Sequence, residues 1–173
     1  SGYYGKTPPC RIYRSTIGGF ILCPIPHKLL YPTVMESAGR VLHTANARSA
    51  AGLSLCGNGT DALEIAIKTL DIKKGSEVIL PVNTWISTAE AIITNGLKIV
   101  FCDINLDDYS ICLKDLKKKI NKNTKLIMPV HLYGNPSDLP KIKKIISNRK
   151  INIIEDCAQA HGAKISNKHV GTF

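Results

Sequence analysis

From residue 55 onward, short apolar runs alternate with segments of helical period, and this alternation restricts the chain to a mostly parallel sheet flanked by helices. A helix is expected over 61–70, with Leu63, Ala66, Ile67 and Leu70 on one face. Gly75 separates it from a strand over 77–82. Ser87 and Glu90, three apart, read as a capping box opening a helix that stops at Gly96. Then come a strand at 98–102, a helix near 113–120 and a strand at 125–130. A lysine-rich helix near 139–146 and a short buried strand at 151–154 follow. Helical crossovers of the right-handed kind return each strand in the same direction, giving half of an α/β domain. The strand ends bring Asn83, Thr84, Trp85, Asp103, His131 and Asp156 to one rim. Ligands of open parallel sheets bind at that rim.

The 173 residues, 44% hydrophobic and 21% charged, are enough for one globular domain with a real core. No apolar stretch approaches the length of a bilayer span. Cys10, Cys23, Cys56, Cys102, Cys112 and Cys157 form no CxxC pair and no metal-ligand spacing, and the five histidines are isolated, so no metal is expected. Thiols scattered through apolar runs suit a reducing cytoplasm. The formal charge of +10 raises nucleic acid as a partner. Its distribution argues otherwise: six basic residues and one acid lie in 1–54, 17 and 12 in the rest. The runs Lys117–Lys119 and Lys141, Lys143, Lys144 fall on expected helices as solvated faces, without the interleaved aromatics of a single-strand platform. Neither a nucleic acid nor a membrane partner is expected.

Residues 1–54 read differently. They hold five of the nine prolines and no sustained period. Lys6, Arg11 and Arg14 before IGGFILCPIP suggest a secretion signal only faintly, because prolines interrupt it and no small-residue cleavage site follows. The chain begins with Ser. This segment is expected to be irregular, with a non-native or joined origin left open, and carries no assigned function.

Four places could carry chemistry. EDCAQAHGA, at 155–163, follows the apolar run INII and places Asp156 just past a strand's carboxyl end, with Gln159 three residues on. An acid so placed can hold a heterocycle by its ring nitrogen, or simply cap the turn that follows. GNGTDAL, at 57–63, offers bare glycine backbone and the unpaired N–H groups of a helix N-terminus, a phosphate cradle. It also matches G-x-G-x-x-A, but a ribose-binding acid is missing: Glu77 opens the next strand, and Asn83 closes it. No Gly-Lys-Ser or Gly-Lys-Thr follows for a Walker loop. Trp85, the single tryptophan, can stack on a flat ring or plug the core. Cys157 and His161, with Asp156 as orienter, permit a nucleophilic reading, but nothing supplies an oxyanion hole. A buried thiol and a satisfied histidine are the plainer account.

GNGTDAL, NTWISTAEAI at 83–92, PVHLYG at 129–134, EDCAQAHGA and VGTF at 170–173 stand in order. Together they resemble the PLP-dependent nucleotide-sugar aminotransferases, the DegT/DnrJ/StrS group of the aspartate aminotransferase fold. The resemblance covers about 55–173 and implies part of the large domain of a fold-type I enzyme. It implies that backbone N–H groups of Gly59, Thr60 and Asp61 hold the phosphate of pyridoxal 5'-phosphate (PLP), and that Trp85 stacks on its ring. Asp156 would pair with the ring nitrogen, and Gln159 would lie near the ring hydroxyl. His131 and His161 could face the site without an assigned role. The family's Schiff-base lysine is expected shortly beyond Phe173, and neither Lys164 nor Lys168 takes its place. The 173 residues are therefore expected not to transaminate alone. The implied whole enzyme is a cytoplasmic homodimer that moves an amino group from glutamate to a keto sugar nucleotide for surface polysaccharide or a glycosylated metabolite. A sugar dehydratase of the same family and a non-enzymatic basic binding module stand as alternatives.

Overall fold

In the computed structural model, residues 10–14, 20–25, 52–56, 58–171 and 173 are described. Among them, a seven-stranded sheet has the order β3-β2-β1-β7-β6-β4-β5. Its strands are β1 (Cys10–Arg14), β2 (Phe20–Ile25), β3 (Gly52–Cys56), β4 (Glu77–Pro81), β5 (Lys98–Cys102), β6 (Thr124–Ile127) and β7 (Asn152–Asp156). From β1 through β7, β6 and β4 to β5 every pairing is parallel, and only β1–β2 and β2–β3 are antiparallel. The helices are α1 (Gly59–Thr69), α2 (Ile86–Thr94), α3 (Leu113–Lys119) and α4 (Leu139–Ile146).

Side chains alternate across each strand, so one sheet feeds two cores. Val78 and Leu80 of β4, Leu126 of β6 with Met128 just beyond it, and Ile154 of β7 pack with Ala62, Leu63, Ala66 and Ile67 of α1 and Ala89, Ala91 and Ile92 of α2. Their neighbours Ile79 and Ile127 point the other way, onto Leu116 of α3 and Ile142 and Ile146 of α4, with Ile153 beside them. Burying each such Leu or Ile contributes about 1.5–3 kcal/mol relative to exposure. Parity then decides where the chemistry points. Asp156 shares the face of Ile154, toward α1 and α2, while Glu155 shares that of Ile153.

Several expectations are corrected. The segment 1–54, expected to be irregular, contributes β1 and β2 to the sheet, and β3 straddles its boundary. Proline-rich flanks conceal these strands, and the parallel neighbour of β1, β7, is distant in sequence. The capping box fails: Trp85 is the N-cap of α2 and no side chain bonds there, since the helix begins before Ser87. Helix α1 starts two residues earlier than its apolar period, because Asn58 is an extended N-cap whose side chain accepts from Asp61 N–H. Strand β6 ends at Ile127, short of 130, just ahead of Pro129, which cannot donate to the ladder. Strand β7 runs through Asp156, making it the last strand residue rather than the first beyond it. The expected spans at 98–102 and 139–146 coincide with β5 and α4. Asp138 caps α4, its carboxylate accepting from Lys141 N–H at 3.0 Å.

Beyond β7, β8 (Lys164–Ile165) and β9 (Lys168–His169) form a hairpin whose central residues Ser166 and Asn167 have φ of 46° and 64°. Positive φ at both positions suits the twist of a two-residue turn. The hairpin returns the chain to Val170, which packs with Cys157 and Ala160. Among the described residues, no helix is long and apolar enough to cross a membrane.

Candidate active site

Asp156 ends β7 with its side chain only 7% exposed. Its Oδ1 accepts from Ala158 N–H at 3.1 Å, and its Oδ2 accepts from the Thr88 hydroxyl at 3.1 Å. The plain turn-capping role thus coexists with a bond to a helix 68 positions away. Burial pushes the Asp156 carboxyl above its ordinary range, against the opposing pull of Ala158 N–H, the Thr88 hydroxyl and the nearby His131. A carboxylate held this way gains from any cation placed beside it.

Trp85 stands at the start of α2, the helix whose next turn carries Thr88. Its side chain is 73% exposed, which excludes the core-plug role. Gln159 is exposed on the turn after β7, and its Oε1 accepts from Tyr133 N–H at 2.9 Å. That bond assigns the amide orientation and leaves the NH2 group directed elsewhere. Tyr133 takes φ 56° in the short 3-10 turn Leu132–Gly134, and Tyr109 takes φ 58°. Their exposed rings meet edge-on, with centroids 6.0 Å apart. Non-glycine residues in this region store strain, and such strain gathers at functional rims.

At α1, Gly59 and Thr60 lie in the first helical turn, ahead of the first intrahelical bond, Ala62 N–H to Asn58 O at 3.1 Å. Their N–H groups point out of the helix N-terminus. Asp61 N–H is engaged: it donates to Asn58 Oδ1, while Asn58 Nδ2 donates to Asp61 Oδ2, both at 2.9 Å. Gly57 lies outside the described residues. Gly59, Thr60 and Asp61 therefore offer two outward amides and a third already capped.

His131 is fully buried rather than facing the rim. Its Nδ1 accepts from Ser137 N–H at 3.0 Å, so the ring proton sits on Nε2, 3.1 Å from Glu155 Oε2. Glu155 Oε2 also accepts from Gly171 N–H. Cys157 belongs to this group, with polar atoms of the three residues within 4.8 Å. Because hydrogen bonds already use both ring nitrogens and Oε2, the cluster reads as internal bracing. Cys157 is buried and His161 exposed, which leaves the nucleophilic pairing without support. Asp103 makes local bonds instead: its N–H donates to Asp115 on α3, and its Oδ1 accepts from Ile104 N–H, both at 2.8 Å.

Sequence reasoning missed the partners: Thr88, Glu155 and the Tyr133 amide. Thr88 did leave a signal, as a polar residue on the apolar face of α2 beside Ala91 and Ile92. A basic cleft of about 180 Å³ lies at the opposite end of the sheet, lined by residues that include Lys122, Lys125, Arg149 and Lys150, away from every residue named above.

The chain is similar to known proteins in sequence and in fold. The model of the DegT/DnrJ/EryC1/StrS aminotransferase family matches residues 44–173. The chain is 44% identical over 118 residues to a UDP-N-acetyl-3-dehydro-alpha-D-glucosamine 3-aminotransferase of Acidithiobacillus ferrooxidans, covering 68% of this chain and 32% of that protein. It is 42% identical over 116 residues to a GDP-perosamine synthase of Escherichia coli O157:H7, covering 67% and 32%. Among solved structures, the Escherichia coli GDP-4-keto-6-deoxy-D-mannose-3-dehydratase with bound hydrated PLP superposes with a TM-score of 0.64 at 36% identity, over 66% of this chain and 31% of that one. The chain thus spans about a third of the length of the relatives it matches. Its mostly parallel sheet flanked by helices is that of fold-type I PLP enzymes. Family match and fold together establish that this chain belongs to the DegT/DnrJ/EryC1/StrS aminotransferase family.

Proposed function

We propose that these residues form the cofactor-binding part of a PLP-dependent enzyme that transfers an amino group from glutamate to a keto sugar nucleotide. The observation that carries the reading is Asp156: a buried carboxylate at a strand's carboxyl end, held on both oxygens, on the sheet face covered by α2, whose N-cap is Trp85. The residues fit the group. Gly59 and Thr60 N–H groups suit a phosphate dianion, and Asp61 N–H can join them by exchanging its bond to Asn58. Trp85 supplies an uncovered indole for a flat ring. The Gln159 NH2 group, left over by its bond to Tyr133, can donate to a ring oxygen. Asp156 holds the proton on a pyridine nitrogen by ion pairing. When bound, PLP accepts the electron pair released as the substrate Cα–H bond breaks. The whole enzyme on this reading is a cytoplasmic homodimer serving sugar biosynthesis.

Likeness to the PLP-binding dehydratase supports a second reading, sugar dehydration by the same cofactor. The readings part at the family's lysine position, expected past Phe173, so the codons following Phe173 discriminate them. PLP titration tests both against a basic binding module. Visible absorbance and quenching of Trp85 should saturate together in the wild type and weaken in Asp156→Asn. Salt-dependent nucleic-acid binding with no cofactor spectrum would sink the enzyme readings.

A further inference from the structure

The Thr88 hydroxyl lies 3.1 Å from Asp156 Oδ2 and 2.9 Å from Thr84 Oγ1. A hydroxyl has one proton, and an ionised carboxylate only accepts. Thr88 therefore gives its proton to Asp156, and the contact with Thr84 must run the other way, Thr84 donating to Thr88. The result is a directed chain, Thr84 to Thr88 to Asp156, from the half-buried loop before α2 to the end of β7. Core packing does not explain it. Thr88 is 1% exposed on a face shared with Ala91 and Ile92, where valine would have the same shape and no hydroxyl to satisfy. A threonine inside a helix commonly turns its hydroxyl back to a carbonyl of the preceding turn. Here it reaches across to another element.

We propose that Thr88, supported by Thr84, is a positioning residue: it acts through Asp156, holding that carboxylate as an oriented anion for the ring nitrogen of the bound cofactor. The inference rests on the PLP reading above. Burial works against the charged form of Asp156, and Ala158 N–H, the Thr88 hydroxyl and His131, at the end of the β6 loop, oppose it. Ala158 belongs to the turn that follows Asp156 itself. Thr88 is the one of these groups that a substitution on a separate helix can remove. Without its proton, Asp156 takes up a proton at higher pH, and a neutral carboxyl no longer favours a protonated ring.

The test uses the complete reading frame, purified and titrated with PLP across pH, with bound-cofactor absorbance and Trp85 fluorescence as readouts. Thr88→Val should weaken PLP binding about tenfold, the loss expected for a hydrogen bond to a charged group. It should also move the acid limit of binding to higher pH. Thr88→Ser should restore both, and Thr84→Val should shift the limit in the same direction by less. Thr84 lies outside the core, so its variant keeps the question answerable if Thr88→Val folds poorly. An unmoved acid limit in both valine variants overturns the inference, as does a loss of affinity in Thr88→Val that serine fails to rescue. A wild type that binds no PLP overturns the cofactor reading instead.

Discussion

His131 Nε2 and Glu155 Oε2 meet at 3.1 Å with neither side chain exposed, and the same carboxylate oxygen takes the N–H of Gly171. One buried acid thus ties β7 to the loop after β6 and to the chain returning from the β8–β9 hairpin. Its Oε1 has no hydrogen-bond partner among the described residues. Glu155→Ala should therefore cost about 3 kcal/mol in denaturant unfolding, because it leaves two buried donors without an acceptor. Glu155→Gln, which keeps an acceptor oxygen, should cost clearly less. Equal losses would mean that the bracing bonds contribute little.

Asp156 gives a pH prediction whose sign follows from its raised folded-state pKa. The folded chain holds the Asp156 proton more tightly than the unfolded one. This group therefore lowers stability as pH rises from the ordinary aspartate range through the raised folded value. Asp156→Asn removes that penalty. Without cofactor, the variant should be more stable than wild type at neutral pH and similar to it near pH 3.8 or below. Its PLP affinity should fall, as expected where stability is given up for a site. Thermal melts at both pH values, with and without PLP, check it.

The helix-end phosphate site can be probed by removing one donor. Asn58 has φ −158° and ψ 177°, an extended backbone that tolerates a following proline, and Gly59 is the first helical residue, where proline fits. Gly59→Pro should leave the melting temperature nearly unchanged while reducing PLP affinity about tenfold. Binding of pyridoxal, which lacks the phosphate, should not change. Equal loss for both ligands would remove the phosphate from this helix end.

Trp85 separates binding from folding. With the indole largely in solvent, Trp85→Ala should alter unfolding free energy by no more than about 0.5 kcal/mol. PLP affinity, followed by visible absorbance, should fall about five- to tenfold with the lost stacking. A strongly destabilised variant would restore the plug role.

Much of the fold was legible because the helical and strand periods of 55–173 are local. Leu63, Ala66 and Ile67 mark α1, and the spans of β5 and α4 could be read directly. Asp156, Gln159 and Trp85 stood out because each follows a recognisable apolar run. The failures have physical causes. Ser87 and Glu90 have capping-box spacing, but the backbone begins its helix at Ile86, after Trp85. The strands at 10–14 and 20–25 lack alternation strong enough to show through the surrounding prolines, and β1 joins the parallel part of the sheet only through β7, at the far end of the chain.

By itself, the sequence determined the order of strands and helices from α1 to β7, the glycine-bearing helix start and the side chains available at the rim, since these depend on neighbours a few residues apart. Only the tertiary structure decided which groups meet: Thr88 with Asp156 across 68 positions, His131 with Glu155 across 24, and Gly171 with Glu155 across 16. The reason is strand parity. Adjacent acids on β7 point to opposite faces of the sheet, and only the packing of helices on each face settles that one becomes a candidate for chemistry and the other a brace.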